Sequence, residues 1–365
     1  MRGGWLYELS NFGNYMKGKQ MLSTAIQKLF GSSAQAQPEN PTLTYVRGRK
    51  VVSEAELIAE VNEKHAHAAA GKPVRLGNVP IPAGREVRNV MVTGAVGTGK
   101  FVAIKQVLKD AEAAGQGAIV YDITGAYVDA FYRPERGDVI LSTTTDARAT
   151  KADEFSIRDW VSCQGGWEAR DPAAMLFLHT DVKQAALKEG LVEGWIAEAC
   201  HEIMVSGDPT TKAVKTWLVI EDLETLGRMP ILLDTLTQAR KYGLAHLIGF
   251  QSIAQIQEIY GEDQAFLIVA NSQHKVILRC GESGAKYWAD AIGAGQFWEV
   301  STFVYTQHHP CFPCCLGFEA ETKRLIAVNA VLPSEIEALS DLEGYVVLGG
   351  FDGTAKVKLS LNLPG

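Results

Sequence analysis

Gly94-Ala95-Val96-Gly97-Thr98-Gly99-Lys100-Phe101 follows the apolar run Val90-Met91-Val92 and leads into Ile104, Val107, Leu108 and Ala111. Those last four recur at i, i+3, i+4 and i+7, the spacing of a helix that lays one apolar stripe on a sheet. Strand, glycine-rich loop and helix therefore fall in the order of a phosphate-binding loop. In the pattern G-x-x-x-x-G-K the glycines let successive backbone N–H groups turn toward the α- and β-phosphates of a nucleotide, and the lysine reaches the β/γ oxygens. The helix N-terminus supplies further positive potential. Gly94, Gly97, Thr98, Gly99, Lys100 and Phe101 are thus the candidate nucleotide-binding residues. A glycine turn before a helix, with no ligand, is the competing reading of this stretch taken alone.

The eighth position of the pattern calls for Ser or Thr, whose hydroxyl ligates the Mg²⁺ that bridges the β- and γ-phosphates. Here it is Phe101. A phenyl ring cannot coordinate a hard cation that takes oxygen ligands, so the phosphate cradle survives while one metal contact is lost.

The second element that carries chemistry is Thr216-Trp217-Leu218-Val219-Ile220-Glu221-Asp222, an apolar strand ending in two acids. In a phosphate-loop ATPase one such carboxylate holds the Mg²⁺ shell and the next polarises the attacking water. The usual order is Asp then Glu. With the order reversed, Glu221 on the metal side is one methylene too long and Asp222 as base is one too short. Solvated acids at an ordinary strand terminus are the alternative. Further on, Ala239-Arg240-Lys241-Tyr242-Gly243 precedes the strand Leu247-Ile248-Gly249-Phe250, which ends at Gln251-Ser252. In ring-forming ATPases an arginine presented to the neighbouring subunit's γ-phosphate completes the site and a polar residue on an adjacent strand end senses that phosphate; Arg240 and Gln251 fit those roles by position. Taken alone, Arg240-Lys241 also suits a helix C-terminus.

The totals bound the rest. A chain of 365 residues accommodates one large or two ordinary domains, and 47% hydrophobic with 21% charged residues describes a globular protein with a sizeable core. With 35 basic and 42 acidic residues the net charge is −7, which gives no global signal for nucleic acid; DNA contacts would need local basic patches. No apolar run approaches the roughly 20 residues of a bilayer span, and no secretory leader is evident, so a cytoplasmic location is expected. Six cysteines in a chain this long predict reduced thiols.

In chain order, residues 1–42 read as a helical segment and linker, with Leu22, Ile26, Leu29 and Phe30 on one face. That face either packs on protein or makes a peripheral contact with the inner membrane. Ser53 with Glu56 three residues on marks a capped helix start. Ala118-Ile119-Val120-Tyr121 reads as a buried strand ending at Asp122 and completes a βαβ unit, which implies a parallel sheet. Val139 to Leu141 and Lys275 to Leu278 read as strands, Gly284 to Ile292 as a helix, and Ser334 with Glu337 as a second capping box. Tyr345 to Leu348 and Ala355 to Leu361 flank Asp352-Gly353, a strong hairpin signal. The fold class expected is α/β: a RecA-like phosphate-loop domain over 43–365, with a mostly parallel central sheet flanked by helices and a C-terminal β-hairpin.

The order of these pieces resembles the type IV secretion coupling proteins of the TraD/TrwB type, ring ATPases of conjugation. The resemblance runs from about Val46 to Leu361. It rests on Leu76-Gly77-Asn78-Val79-Pro80, the phosphate loop, Ile119 to Asp122 with Gly125, Phe155-Ser156-Ile157-Arg158-Asp159-Trp160, Trp217 to Leu223, Ala239 to Gly243, Gly249 to Ser252 with Gln255, Ile259-Tyr260-Gly261, and Leu339 to Leu348. It implies ATP with Mg²⁺, a homo-hexameric ring, and single-stranded DNA or relaxosome cargo passed to the components of a secretion channel. It also assigns Glu221 to the metal, Asp222 to water, Arg240 to the neighbour's site and Gln251 to the γ-phosphate. The chain departs from the family at Phe101 and Glu221-Asp222, in having no apolar membrane-spanning run, and in a short loop near 148–155 where a helical insertion is expected. Outside the resemblance, His309, Cys311, Cys314 and Cys315 have the donor chemistry of a Zn²⁺ site, although in one contiguous piece; a reduced surface loop is the alternative.

Overall fold

The apolar runs beside the phosphate loop have no polar alternation, because their strands are covered on both faces. Val90, Val92, Trp217 and Val219 enter one buried cluster, while Met91, Leu218 and Ile220 enter another on the opposite side of the same sheet. In the computed structural model the described residues are 35–38, 42–65, 72–143, 148–150, 155–162, 171–180, 182–207, 215–308 and 315–361. They fall in two compact units: residues 1–48 with 295–328, and residues 49–294 with 329–365.

The described strands are, in order, β1 (Gln35–Pro38), β2 (Thr42–Gly48), β3 (Lys50–Val52), β4 (Arg75–Leu76), β5 (Val79–Pro80) and β6 (Val90–Thr93). There follow β7 (Gly117–Asp122), β8 (Val139–Ser142), β9 (Met175–His179), β10 (Thr216–Ile220) and β11 (Leu244–Phe250). The last are β12 (His274–Leu278), β13 (Ala294–His308), β14 (Cys315–Asn329), β15 (Glu343–Val347) and β16 (Gly353–Lys358).

The larger unit is built on a ten-stranded sheet ordered β3-β16-β15-β12-β6-β11-β10-β7-β9-β8. From β12 to β8 every neighbouring pair is parallel, whereas β15 and β16 add as an antiparallel hairpin at the β12 edge. The mostly parallel sheet and its terminal hairpin are as the sequence implies. The helix Lys100–Ala113 presents Ile104, Val107, Leu108 and Ala111 to the cluster on one face, the four residues that its periodicity singles out. The helix Glu54–His65 starts as a capping box: Ser53 N donates to Glu56 Oε2 at 2.8 Å and Glu56 N to Ser53 Oγ at 3.2 Å. Leu57 and Val61 then bury its inner face.

Two local expectations are corrected. The second capping box is displaced: the helix Pro333–Glu337 is closed by Leu332 N donating to Glu335 Oε2 at 2.7 Å, not by Ser334 with Glu337. Proline at the first helical position sets the start one residue before the serine could cap it. Gln35–Pro38, inside the stretch read as a linker, forms β1.

The smaller unit is an antiparallel sheet in which β13 pairs with β14, β1 and β2. Residues 43–48 and 295–328, inside the stretch expected to form one domain, belong to it. The expected helical face of residues 22–30 lies outside the described residues. No helix among the described residues is long and apolar enough to cross a membrane.

Candidate nucleotide-binding site

Every parallel strand of the large sheet releases its chain at one edge, and the candidate residues collect there. Thr93 leads from β6 into the phosphate loop; Asp122 closes β7, Glu221 follows β10, Gln251 follows β11 and Arg279 follows β12. This is the end of an open α/β sheet where ligands bind, in the crevice outside the carboxyl ends of the strands.

The loop is held open by backbone geometry that few residues could adopt. Gly97 has φ +78° and an added Cβ would meet no atom within 4 Å, so the turn is open on that side. Gly99 caps the following helix at φ +116°, a value closed to side-chain-bearing residues. Thr98 is fully buried and its Oγ1 donates to Ala95 O at 2.7 Å, fastening the turn. Lys100 is only 7% exposed, with its Nζ donating to Gly94 O at 3.0 Å and to Ala95 O at 3.5 Å. The ammonium thus sits inside the loop, where it would meet phosphate oxygens. The loop is braced from outside as well: Ala95 N donates to Arg279 O at 2.8 Å and Leu342 N to Thr98 O at 2.9 Å. Arg279 and Asp341 close the brace with an ion pair at 2.7 Å. Leu342 pays for this position with φ +66°, a left-handed conformation uncommon in a branched residue.

Glu221 extends the face of Trp217 and Val219, on which the phosphate-loop helix packs. Its backbone approaches β11 so closely that a Cβ on Gly249 would lie 2.3 Å from Glu221 O. Burial pushes the Glu221 carboxyl up to about 7; the Tyr127 hydroxyl and Lys100 pull it back while Asp222 and Asp122 push it further up. Asp222 lies next along the chain, and Glu221, Asp222, Asp122, Thr124 and Tyr127 share a small cavity of about 10 Å³. That is room for about one water.

Gln251 reaches the site by register, since Phe250 pairs with Thr93 and Gln251 therefore follows beside the start of the loop. Its N–H donates to Glu224 Oε1 at 3.1 Å. Glu224 lies within electrostatic reach of Lys100 and Asp222, and burial raises its pKa. Arg240 is not brought to this site. It stands exposed just before β11, at the opposite edge of the sheet, where Arg88 feels its charge and that of Arg85. Phe101 turns its ring against Tyr127, with centroids 5.0 Å apart. His309, Cys311 and Cys314 lie outside the described residues, Cys315 opens β14, and no metal-binding group of three such side chains occurs among the described residues.

Sequence reading gave no site role to Asp122, Tyr127, Glu224, Arg88 or Leu342, although Asp122 and Leu342 lie in stretches that carry the family resemblance. Only Asp122 carried a signal, an aspartate two before Thr124 and three before Gly125. Its Oδ1 accepts from Thr124 N and Gly125 N, and its Oδ2 from Tyr127 N and Val128 N at 2.9 Å each. A larger cavity of about 430 Å³ opens at the far edge of the sheet among Gly115, Trp160, Ile203, Lys215 and Tyr242. It contains none of the phosphate-loop residues and a single charged group, so the chemistry lies elsewhere.

The model of the type IV secretion-system coupling protein DNA-binding domain matches residues 73–151 and 148–360. The chain belongs to this coupling-protein family. The two matched pieces meet at the short loop where the sequence departs from the family pattern. Coupling protein TraD of Escherichia coli (strain K12) is 28% identical over 209 residues, which cover 57% of this chain and 28% of TraD. The chain thus spans little more than a quarter of that relative. Among solved structures, the bacterial conjugative coupling protein TrwBΔN70 aligns with a TM-score of 0.69 at 19% identity, over 92% of this chain and 96% of that one. Plasmid coupling protein TrwB in complex with ADP and Mg²⁺ aligns with a TM-score of 0.68 at 18% identity, over 92% and 97%. At these identities the likeness establishes the RecA-like fold of the coupling-protein family.

Proposed function

We propose that this coupling protein binds ATP with Mg²⁺ and works as a homo-hexameric motor, moving single-stranded DNA or a relaxosome toward the channel of a type IV secretion system. The observation that carries the reading is the placement of Lys100 and the open Gly97 turn on the same sheet edge as Glu221 and Asp222. The amides of Gly97 to Phe101 and the Lys100 ammonium would hold the phosphates. Glu221 would serve the metal, and the buried, incompletely satisfied oxygens of Tyr127 and Glu224 fit a hydrated, charged ligand. Bound Mg²⁺ would neutralise charge on the phosphates. Asp222 would orient the attacking water, Gln251 would sense the γ-phosphate, and Arg240 would act on the neighbouring subunit's site. The cytoplasm, with its face at the inner membrane, is the location this role requires.

Phe101 favours one other reading, a nucleotide-gated scaffold of a secretion complex that binds without turnover. ATP hydrolysis with Mg²⁺, with and without single-stranded DNA, separates the two when the parent is compared with Lys100→Ala and Phe101→Ser. Turnover by the parent that Lys100→Ala abolishes is the motor outcome. Turnover by Phe101→Ser alone is the scaffold outcome. Mixing inactive Arg240→Ala with inactive Lys100→Ala subunits tests the site in trans, because each supplies what the other lacks; activity should return in the mixture.

A further inference from the structure

The two positions that would serve the metal, 101 and 221, meet on a third residue. Phe101 brings no oxygen, but its ring packs on that of Tyr127 at 5.0 Å and 55°. Tyr127 is 1% exposed and lines the small cavity together with Glu221, Asp222 and Asp122. Its hydroxyl lies beside Glu221 and lowers that carboxyl's pKa by hydrogen bonding, although the pair is too poorly aligned to satisfy the hydroxyl fully. A phenol hydroxyl both donates and accepts, so beside Glu221 it keeps capacity for a further partner. The backbone of Tyr127 has no latitude: Asp122 Oδ2 fixes its N–H at 2.9 Å, at the start of the helix Ala126–Phe131. The ring is therefore held between Phe101 and the acids, beside a space the size of a water.

We propose that the Tyr127 hydroxyl takes the place of the Ser or Thr hydroxyl missing at position 101, hydrogen-bonding to the water shell of the nucleotide-bound Mg²⁺. The inference rests on the nucleotide-binding reading above. Phe101 then has a positive role. Its ring replaces a ligand with a wall, against which Tyr127 is positioned to supply the oxygen from the next element of the fold.

The test measures binding rather than turnover. A fluorescent ADP analogue is titrated into the full chain with Mg²⁺ and with EDTA, and the ratio of the two Kd values isolates what the metal contributes. Tyr127→Phe deletes one oxygen and keeps the ring packing, which a thermal melt verifies. The ratio should fall about tenfold, the low end of the range for groups outside a metal's inner shell. Adding Phe101→Ser to Tyr127→Phe should restore it, since the hydroxyl returns at the other position. An unchanged ratio in Tyr127→Phe overturns the proposal. Equal weakening in both arms overturns it too, because Tyr127 would then be structural support alone. Absence of ADP binding by the parent in either arm refutes the nucleotide reading itself, an outcome distinct from an unchanged ratio.

Discussion

Replacing Glu221 by Gln should stabilise the protein, and more so as the pH rises. The carboxyl titrates near 7 in the folded chain, against about 4.5 for an unburied glutamate, so folding holds a proton that the unfolded chain releases. The stability this contributes is full below the unfolded value and is lost as pH rises through 7. A shift of this size corresponds to about 3 kcal/mol when the group is ionised in both states. Glutamine, neutral at every pH and of similar shape, escapes that cost. Equilibrium urea unfolding without nucleotide should therefore show Glu221→Gln more stable than the parent by about 1 kcal/mol near about pH 5.5 and about 3 kcal/mol near about pH 8.5. The same variant should lose Mg²⁺-dependent nucleotide affinity, a trade of function against stability. A gain that does not change with pH would refute the reasoning, because only the titration of this buried carboxyl makes it grow.

Three further outcomes follow from the same geometry. Gly249→Ala forces a Cβ onto Glu221 O and should destabilise by about 3 kcal/mol or more in urea unfolding, because both partners are backbone and neither can swing aside; a loss below about 1 kcal/mol would show the two strands can part. Leu342→Pro removes the N–H that holds Thr98 O and imposes a negative φ where the chain has +66°, so nucleotide affinity should weaken markedly; a variant that folds and binds ADP like the parent would show the brace to be dispensable. His246 and His274 are buried neutral, pushed down to about 3 and about 4 by burial, and His246 is held between Asn89 Oδ1 and Thr235 Oγ1. Neither ring should gain a proton above about pH 5 in an NMR titration, and stability should fall as pH drops below the unfolded value of about 6.5. A midpoint near the ordinary value would show that the network opens to water.

What the sequence disclosed and what it withheld divide along a physical line. The phosphate loop and the Ser53–Glu56 cap are legible because each is set by backbone spacing within a few residues; the terminal hairpin is legible too, but it turns at Gly349-Gly350 and Gly353 already opens β16. Met175 to Leu178 form a strand that no alternation marks, since a parallel strand covered on both faces has no polar side to reveal it. The long β13 and β14 and the displaced cap at Leu332 were missed for related reasons, one being pairing with distant strands and the other a proline that shifted the helix start. The residues that complete the site were hidden for a stronger reason. Tyr127, Glu224 and Leu342 acquire roles only when the β7, β10 and β15 regions are brought against the loop after β6, and nothing local distinguishes them. This bears on how an altered motif is read. Phe101 looks like a simple loss when the loop is judged by its own pattern, because the pattern lists only what the loop itself supplies. In the folded chain Phe101 and the buried hydroxyl of Tyr127 are one ring contact apart, so the consequence of Phe101 is set by Tyr127 as much as by the loop. A motif departure in this family is therefore a statement about a neighbourhood, and the Tyr127→Phe, Phe101→Ser pair is the experiment that reads the neighbourhood rather than the letter.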